Sequence, residues 1–351
     1  MGLGRLPRMA PGRALGAAAT VMGASAVARQ RLRVGKGGAW WLALVMAGAV
    51  QAGELPRAAS GLLTDVASVG TRQVAVGERG HVLLSDDQGR SWRQASVPSQ
   101  QLLTAVYFVD AQHGWAVGHD AQILATADGG ATWALQFQDP ARQAPLLGVW
   151  FENVSHGFAV GAYGALLVTE DGGSHWQDAS ARLDNPDQLH LNAIAAVKDA
   201  GLVIVGEQGL LFRSADGGAS WQRLQGPYEG TLFGAVATAQ ARTLLVFGLR
   251  GHVFRSTDFG DSWQAIAVQG ERGPLDAGLA NARLLHDGTL VLVGEGGTVL
   301  RSVDDGQRFS RVTRPDRQAL AAAAAAGDGL LLVGENGAHR ATINGSEAVQ
   351  P

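Results

Sequence analysis

The feature that most constrains the fold is an internal repeat with a period of 40–46 residues. Its clearest pattern is Ser/Thr-x-Asp-x-Gly-x-x-Trp, which first occurs at Ser85–Trp92 and which we call the Asp-box. The Asp position is filled in turn by Asp87, Asp128, Asp171, Asp216, Asp258 and Asp304, and by Asn344 in a degenerate last copy. The aromatic position is filled by Trp92, Trp133, Trp176, Trp221 and Trp263, and then by Phe309. Such periods are typical of folds in which each unit buries its faces only by stacking on its neighbours.

A second pattern, Val-Gly-x-x-Gly, precedes each Asp by about ten residues and keeps the same phase. Its copies begin at Val76, Val117, Val160, Val205, Phe247, Val293 and Val333. The seventh copy is intact, although the Asp-box that follows it is not. Two patterns in matched phase therefore indicate seven repeats.

Each repeat contains four short apolar segments. In the second repeat these are Leu103–Phe108, Gly114–Val117, Ile123–Thr126 and Trp133–Phe137, which we name strands A to D. Glycines frame the B–C turn, where a positive φ is needed. Four strands per repeat predict an all-β, seven-bladed β-propeller of four-stranded antiparallel blades.

The two ends of the predicted ring differ from the other blades. The last repeat has an alanine-rich strand A, Leu320–Ala326, and little sequence remains for its strand D. Residues 53–60 precede the first strand A and have no other assignment. We therefore expect these residues to form the outer strand of the last blade, so that an N-terminal strand closes the ring of a single domain, residues 53–351.

The first 52 residues have the pattern of an export signal. They hold seven basic and no acidic residues, followed by the apolar run Ala39–Val50 and small residues up to Ala52. A run of about 12 residues is shorter than the roughly 20 needed to span a bilayer as a helix. We expect cleavage near Ala52 and a mature protein in the periplasm or another extracytoplasmic compartment.

Composition excludes several functions. Residues 53–351 contain 21 basic and 31 acidic residues, which does not provide the basic surface that nucleic acids require. The chain has no cysteine, which excludes disulfides, thiolate catalysis and cysteine zinc sites. No Gly-x-Ser-x-Gly, Walker or His-Glu-x-x-His motif occurs. We expect no cofactor, no metal and no enzymatic activity.

The chemistry of the Asp-box predicts a structural role. The Asp carboxylate can accept hydrogen bonds from N–H groups two residues on, and the glycine can adopt a positive φ. The tryptophan offers a large apolar surface for burial between neighbouring sheets. A catalytic carboxylate would not be needed in every blade.

Residues 62–345 resemble the photosystem II stability/assembly factor family of Asp-box (BNR-like) propellers, and the chain looks like a bacterial homologue. The third repeat carries the resemblance well, with Leu147-Gly148-Val149-Trp150-Phe151 and Phe158-Ala159-Val160-Gly161 before its Asp-box. The resemblance implies a non-enzymatic scaffold that binds a membrane-protein complex, and we expect a monomer.

The alternative is an exported propeller that binds or hydrolyses glycans, because sialidase-like enzymes also carry Asp-boxes. Such enzymes use a tyrosine nucleophile, and this chain offers Tyr107, Tyr163 and Tyr228, the last beside Glu229. No matching arginine triad or Phe-Arg-Ile-Pro-type motif is present.

If strands A to D alternate in direction, the B–C turns and D–A loops share one face. We expect both variable residues of each Val-Gly-x-x-Gly pattern to point outward there and to bind the partner. These candidates are Glu78, Arg79, His119, Asp120, Tyr163, Glu207, Gln208, Arg250, Glu295, Glu335 and Asn336. The D–A loops add Arg142, Arg182, Tyr228, Arg272, Arg314 and Arg317, since arginine and tyrosine are favoured interface anchors.

Overall fold

The computed structural model describes residues 57–346, so the predicted export signal lies outside the described residues. Those residues form seven antiparallel sheets in chain order, of which six have four strands and the seventh has three. The prediction of an all-β, seven-bladed propeller is confirmed.

The strands run A to D within each of blades 1 to 6 and A to C in blade 7. Blades 1 to 3 contain β1 (Leu63–Val69), β2 (Arg72–Gly77), β3 (Val82–Ser85), β4 (Arg93–Gln94), β5 (Leu103–Phe108), β6 (Gly114–Gly118), β7 (Ile123–Thr126), β8 (Ala134–Phe137), β9 (Leu146–Phe151), β10 (Gly157–Gly161), β11 (Leu166–Thr169) and β12 (Gln177–Asp178). Blades 4 and 5 contain β13 (Leu191–Val197), β14 (Gly201–Gly206), β15 (Leu211–Ser214), β16 (Gln222–Arg223), β17 (Leu232–Ala237), β18 (Leu244–Gly248), β19 (Val253–Ser256) and β20 (Gln264–Ala265). Blades 6 and 7 contain β21 (Leu279–Leu284), β22 (Leu290–Gly294), β23 (Thr298–Ser302), β24 (Ser310–Thr313), β25 (Leu320–Ala326), β26 (Gly329–Gly334) and β27 (Gly337–Thr342).

The only helical segments of residues 57–346 are single 3₁₀ turns. Six of them form the B–C turns of blades 1 to 6: Glu78–Gly80, His119–Ala121, Ala162–Gly164, Glu207–Gly209, Leu249–Gly251 and Glu295–Gly297. The other three are Arg57–Ser60, Pro140–Arg142 and Ser180–Arg182. No helix in this part of the chain is long and apolar enough to cross a membrane.

The ring closes through its inner strands. Each strand A contacts the strand A of the next blade, and β25 of blade 7 contacts β1 of blade 1. The apolar core is correspondingly divided into clusters between adjacent blades. Strand B is buried along its whole length in β6, β10, β18 and β22, because neighbouring blades cover both of its faces.

The aromatic residue of each intact Asp-box packs against the preceding blade. Trp133 of blade 2 lies among Val74 and Leu84 of blade 1 and contacts the Phe108 ring edge to face at 6.1 Å. Trp92 of blade 1 packs in the same way on Leu331 of blade 7. The Asp-box tryptophans therefore join the sheets around the ring.

The described segment before β1 differs from the expected closing strand. Residues 57–60 form a 3₁₀ turn beside β27, with Ala58 and Ala59 buried against blade 7. The fit is close, because a Cβ at Gly337 would collide with the Ala59 carbonyl. Alanine favours helical over extended backbone, which accounts for a turn at this point. Residues 53–56 of the predicted closing strand lie outside the described residues.

The alanine run of blade 7 forms an inner strand, as its place in the repeat predicts and against its helix propensity. Ala322, Ala324 and Ala326 pack toward blade 1, while Ala323 packs toward blade 6. Small side chains on both faces let blade 7 fit closely between its neighbours.

Candidate functional site

The B–C turns and D–A loops lie together on one side of the ring, which we call the loop face. In blade 2, the Ala121 N–H donates to the Ala144 carbonyl at 3.0 Å, and the Asp139 N–H donates to the Asp120 carbonyl at 2.9 Å. The Asp-box turns and A–B turns lie on the opposite side, the Asp-box face, where the Gly129 N–H donates to the Gln112 carbonyl at 2.9 Å.

The second variable residue of the B–C turn has left-handed backbone in blades 1 to 6. The positions concerned are Arg79, Asp120, Tyr163, Gln208, Arg250 and Gly296, with φ between 51° and 62°. The same conformation in six blades holds the five side chains among these positions in one orientation relative to the ring, and Gly296 adopts it without strain. Tyr163 is the most exposed aromatic residue of the loop face, with 60% of its surface accessible.

In two blades the first variable residue of the B–C turn accepts a hydrogen bond from the D–A loop. The Glu207 carboxylate accepts the His190 N–H at 2.8 Å, and the Glu295 carboxylate accepts the Gly278 N–H at 2.8 Å. Both N–H groups precede the bulge at the start of a strand A. These two glutamates therefore tie the D–A loop to the turn, and of the two Glu295 is exposed while Glu207 is half-buried. His119, Glu335 and Asn336 are exposed at their turns.

Most of the predicted arginine anchors are engaged within the fold. Arg142 forms ion pairs with Asp139 at 3.0 Å and with Asp178. Arg182 donates to the Gly218 carbonyl at 3.1 Å, so its guanidinium reaches the Asp-box turn of blade 4 and not the loop face.

Two further candidates belong to the loop between blades 6 and 7. Arg314 is only 1% exposed and donates to Asp316 at 3.0 Å, so it is not available as an interface anchor. Arg317 is exposed and donates to Glu271 at 3.2 Å.

The remaining loop candidates are less constrained. Tyr228 lies against the tilted His252 ring with a centroid distance of 4.3 Å and is half-buried. Arg272 and Arg250 are exposed, as is Arg79, which lines a polar depression together with Ser99 and Gln100.

One groove brings predicted candidates together. It lies at the B–C turn of blade 3, between the loop from blade 2 and the loop to blade 4, has a volume of about 650 Å³, and contains both Arg142 and Tyr163. Leu183 and neighbouring alanines form its apolar floor, and Asp178 and Asp184 stand in its walls. We call it the blade 3–4 groove.

The six Asp-box carboxylates are used inside their own turns. Asp216 accepts the Ser214 hydroxyl at 2.7 Å, the Ser220 N–H at 3.0 Å and the Ser220 hydroxyl at 2.6 Å. The N–H donor lies four residues on, not two, because the turn is longer than an Asx-turn. The hydrogen bonds from Ser220 lower the pKa of the Asp216 carboxyl to about 2.

The central channel was not anticipated from the sequence. It has a volume of about 730 Å³ and is lined by the strands A, including Tyr107, Trp150 and Leu284. Asp65 and Arg283 are the only charged residues in the seven described inner strands. Charge in a strand otherwise made of apolar and small residues was the signal that could have revealed the channel.

Asp65 is 5% exposed and fully hydrogen-bonded. One carboxylate oxygen accepts the Val66 N–H and an Arg283 N–H, each at 2.9 Å, and the other accepts the Val106 N–H at 3.0 Å. Burial raises the pKa of the Asp65 carboxyl above its usual value, and the Arg283 guanidinium and the two backbone donors oppose that rise. Within residues 57–346, no three His, Asp or Glu side chains are placed to hold a metal.

Comparison with solved structures identifies the fold. A structure described as YCF48 bound to D1 peptide matches with a TM-score of 0.63 and 19% identity, over 81% of this chain and 93% of the other. An ancestral GH74 enzyme matches with a TM-score of 0.63 and 14% identity, over 82% of this chain and 46% of the other. At these identities the matches show a shared propeller fold.

Sequence comparison is more specific. Photosystem II stability/assembly factor HCF136 of Cyanidioschyzon merolae is 37% identical over 62 residues, which are 17% of this chain and only 14% of that protein. The family model for photosynthesis system II assembly factor YCF48 matches residues 84–145 and 136–277, more than half of the chain. The chain therefore belongs to the family of photosynthesis system II assembly factor YCF48.

Proposed function

We propose that this chain is an exported, non-enzymatic scaffold whose loop face binds an extramembrane segment of a membrane protein. The observation that carries the proposal is the family membership, together with the match to a structure in which YCF48 holds a D1 peptide. The match covers 93% of the YCF48 chain, so the same propeller fold accommodates this sequence and that of YCF48.

The loop face suits such a role. Its turns are fixed by a repeated left-handed residue, while the side chains at that residue differ in charge and size from blade to blade. A rigid frame with variable exposed loops is the usual arrangement of a binding surface. The loop face also holds the blade 3–4 groove, with exposed Tyr163 at its rim.

The proposal that the chain is not an enzyme is supported by its carboxylates, which are held by hydrogen bonds and ion pairs within the fold. Those of the Asp-boxes are engaged in their turns, and Asp65 is engaged by Arg283. Tyr228, which was considered for a glycosidase, stacks on Phe254 and contacts the His252 ring. The glycan alternative predicts hydrolysis of, or binding to, oligosaccharides, which a glycan array and a chromogenic glycoside panel would detect.

The test removes side chains from the loop face without changing its backbone. In a triple variant, Arg79→Gly, Gln208→Gly and Arg250→Gly, glycine is placed at left-handed positions that it tolerates better than the native residues. The matched control removes three positive-φ side chains from the Asp-box face: Gln88→Gly, Asp199→Gly and Arg242→Gly.

Each protein is used to capture partners from detergent-solubilised membranes of the source cells. The proposal predicts that the wild type and the control recover a membrane protein and that the loop-face variant recovers much less of it. Loss in the control with retention in the loop-face variant would place binding on the opposite side of the ring.

A further inference from the structure

The arginines of the loop face suggest an acidic partner, but the contacts of the blade 3–4 groove indicate otherwise. Arg142 is the only basic residue in its lining, and this guanidinium is shared between two carboxylates, those of Asp139 and Asp178. Asp184 adds a further carboxylate to the wall. The groove therefore carries a net negative charge, although it contains one of the predicted arginine anchors.

The Asp178 carboxylate remains ionised at neutral pH. Burial raises the pKa of the Asp178 carboxyl, but hydrogen bonds from Ser180 and the ion pair with Arg142 outweigh it and hold the pKa below the usual value. Two nearby arginines do not line the groove and so do not offset its carboxylates there. Arg182 points to the Asp-box turn of blade 4, and Arg223 donates to the Asp184 carbonyl at 3.1 Å without lining the groove.

An exposed aromatic ring stands at the rim of the groove. Tyr163 is 60% accessible, and His190 contacts its ring edge to face at 5.0 Å. His190 lies beside the Glu207 carboxylate at 3.6 Å. A tyrosine ring beside carboxylates can hold a cation through its π face while the carboxylates supply the opposite charge.

The groove is also shaped before any partner binds. The Asn185 side chain donates to the Leu189 carbonyl at 2.9 Å and accepts the Leu189 N–H at 3.1 Å, which fixes the loop that forms one wall. Leu183 and Ala162 are buried beneath it. An apolar floor under charged walls suits the aliphatic stem of a lysine or arginine side chain, whose head group stays at the rim.

We propose that the blade 3–4 groove binds a basic, extended peptide segment, with a lysine or arginine side chain lying against Tyr163 and Asp184. This inference deepens the proposed function, on which it rests, by giving the chemistry of the segment that this part of the loop face recognises. The partner is identified by charge complementarity with the groove.

The test uses the full chain and three labelled peptides that differ only at two positions: Ala-Lys-Ala-Lys-Ala, the glutamine counterpart and the glutamate counterpart. Fluorescence anisotropy gives Kd for each. The proposal predicts binding in the order lysine, glutamine, glutamate, and a lysine preference that weakens as salt is added. Asp184→Asn should raise Kd for the lysine peptide by about fivefold, which corresponds to roughly 1 kcal/mol.

The matched control is Asp276→Asn, which removes one exposed carboxylate from the loop between blades 5 and 6. It should leave Kd for the lysine peptide unchanged. Tyr163→Leu keeps an apolar side chain but removes the π face, and should also raise Kd for the lysine peptide. Equal binding of the lysine and glutamine peptides, or equal losses in Asp184→Asn and Asp276→Asn, would overturn the proposal. Recovery of a membrane protein by a chain that shows no lysine preference would overturn this inference alone. Lysine-selective binding without any recovered membrane protein would instead contradict the proposed function.

Discussion

The Arg283 guanidinium of blade 6 donates to the Asp65 carboxylate of blade 1 at 2.9 Å, and so spans the inner strand of the blade between them. The alanines of β25 leave room for this crossing. Because Asp65 also accepts the Val106 N–H of blade 2, one carboxylate connects three blades beside the point where blade 7 meets blade 1.

Removal of Arg283 should therefore destabilise the ring in a pH-dependent way. In Arg283→Met, the ionised Asp65 loses its counter-ion, and we expect a loss of roughly 2–4 kcal/mol at neutral pH, less than for a fully buried pair because Arg283 is partly exposed. Urea denaturation at several pH values measures the loss.

The sign of the pH dependence follows from the raised pKa. A carboxyl group whose folded-state pKa lies above its unfolded value of 3.8 contributes less stability as pH rises through the folded pKa. Arg283→Met should raise that pKa further. The loss of unfolding free energy relative to the wild type should therefore be small in acid and grow with pH. Adding Asp65→Asn to the Arg283→Met variant should make its unfolding free energy less dependent on pH. A deficit that is the same at every pH would show that lost packing, not charge, is responsible.

The Asp-box tryptophans should differ in their contribution to stability. Trp133 is 7% exposed and donates its Nε1–H to the Gly130 carbonyl at 2.9 Å. Trp133→Ala should cost roughly 3–5 kcal/mol of unfolding free energy, the usual range for a buried aromatic side chain. Trp176→Ala should cost less, because Trp176 is only partly buried. Equilibrium denaturation that gave less than about 1 kcal/mol for Trp133→Ala would contradict its position between the blades.

The Asp-box turns should make the propeller sensitive to acid. The pKa values of the Asp171, Asp216 and Asp258 carboxyls are about 2, and the usual value is 3.8. A lowered folded-state pKa contributes stability that is present above 3.8 and is lost as pH falls toward 2. The melting temperature should fall across this window, and by a smaller amount in Asp216→Asn. A variant that melts in parallel with the wild type at every pH would argue against these turns as the cause.

The export prediction concerns residues outside those described. N-terminal sequencing of the protein from fractionated cells should find a chain that begins just after Ala52, in the extracytoplasmic fraction. A cytosolic product that still contains Trp40 would rule out the signal.

The fold could be predicted from the sequence because the blades repeat two local patterns, and each pattern determines a turn and its flanking strands. The ring closure was less predictable, because the turn at Ala58 and Ala59 packs on a strand that is more than 270 residues away in sequence. A short segment with so remote a partner leaves no periodic signal.

The position of the candidate residues on one face was predicted from the sequence, but the ion pairs that they form were not. The prediction placed Arg142 and Tyr163 on one face, where the structure finds them in one groove. It could not show that Arg142 pairs with Asp178, 36 positions further along the chain, in the next strand D. Side-chain charge is visible in a sequence, but its neutralisation by a distant residue is not.

The central claim, that the loop face binds a membrane protein, is tested most directly by photo-crosslinking in cells. A benzoylphenylalanine is placed either at Tyr163, which is 60% exposed on the loop face, or at Val303, which is 68% exposed on the Asp-box face. Illumination followed by mass spectrometry identifies the adducts. We predict an adduct with an extramembrane segment of a membrane protein from position 163 and none from position 303. An adduct from position 303 alone would contradict the account.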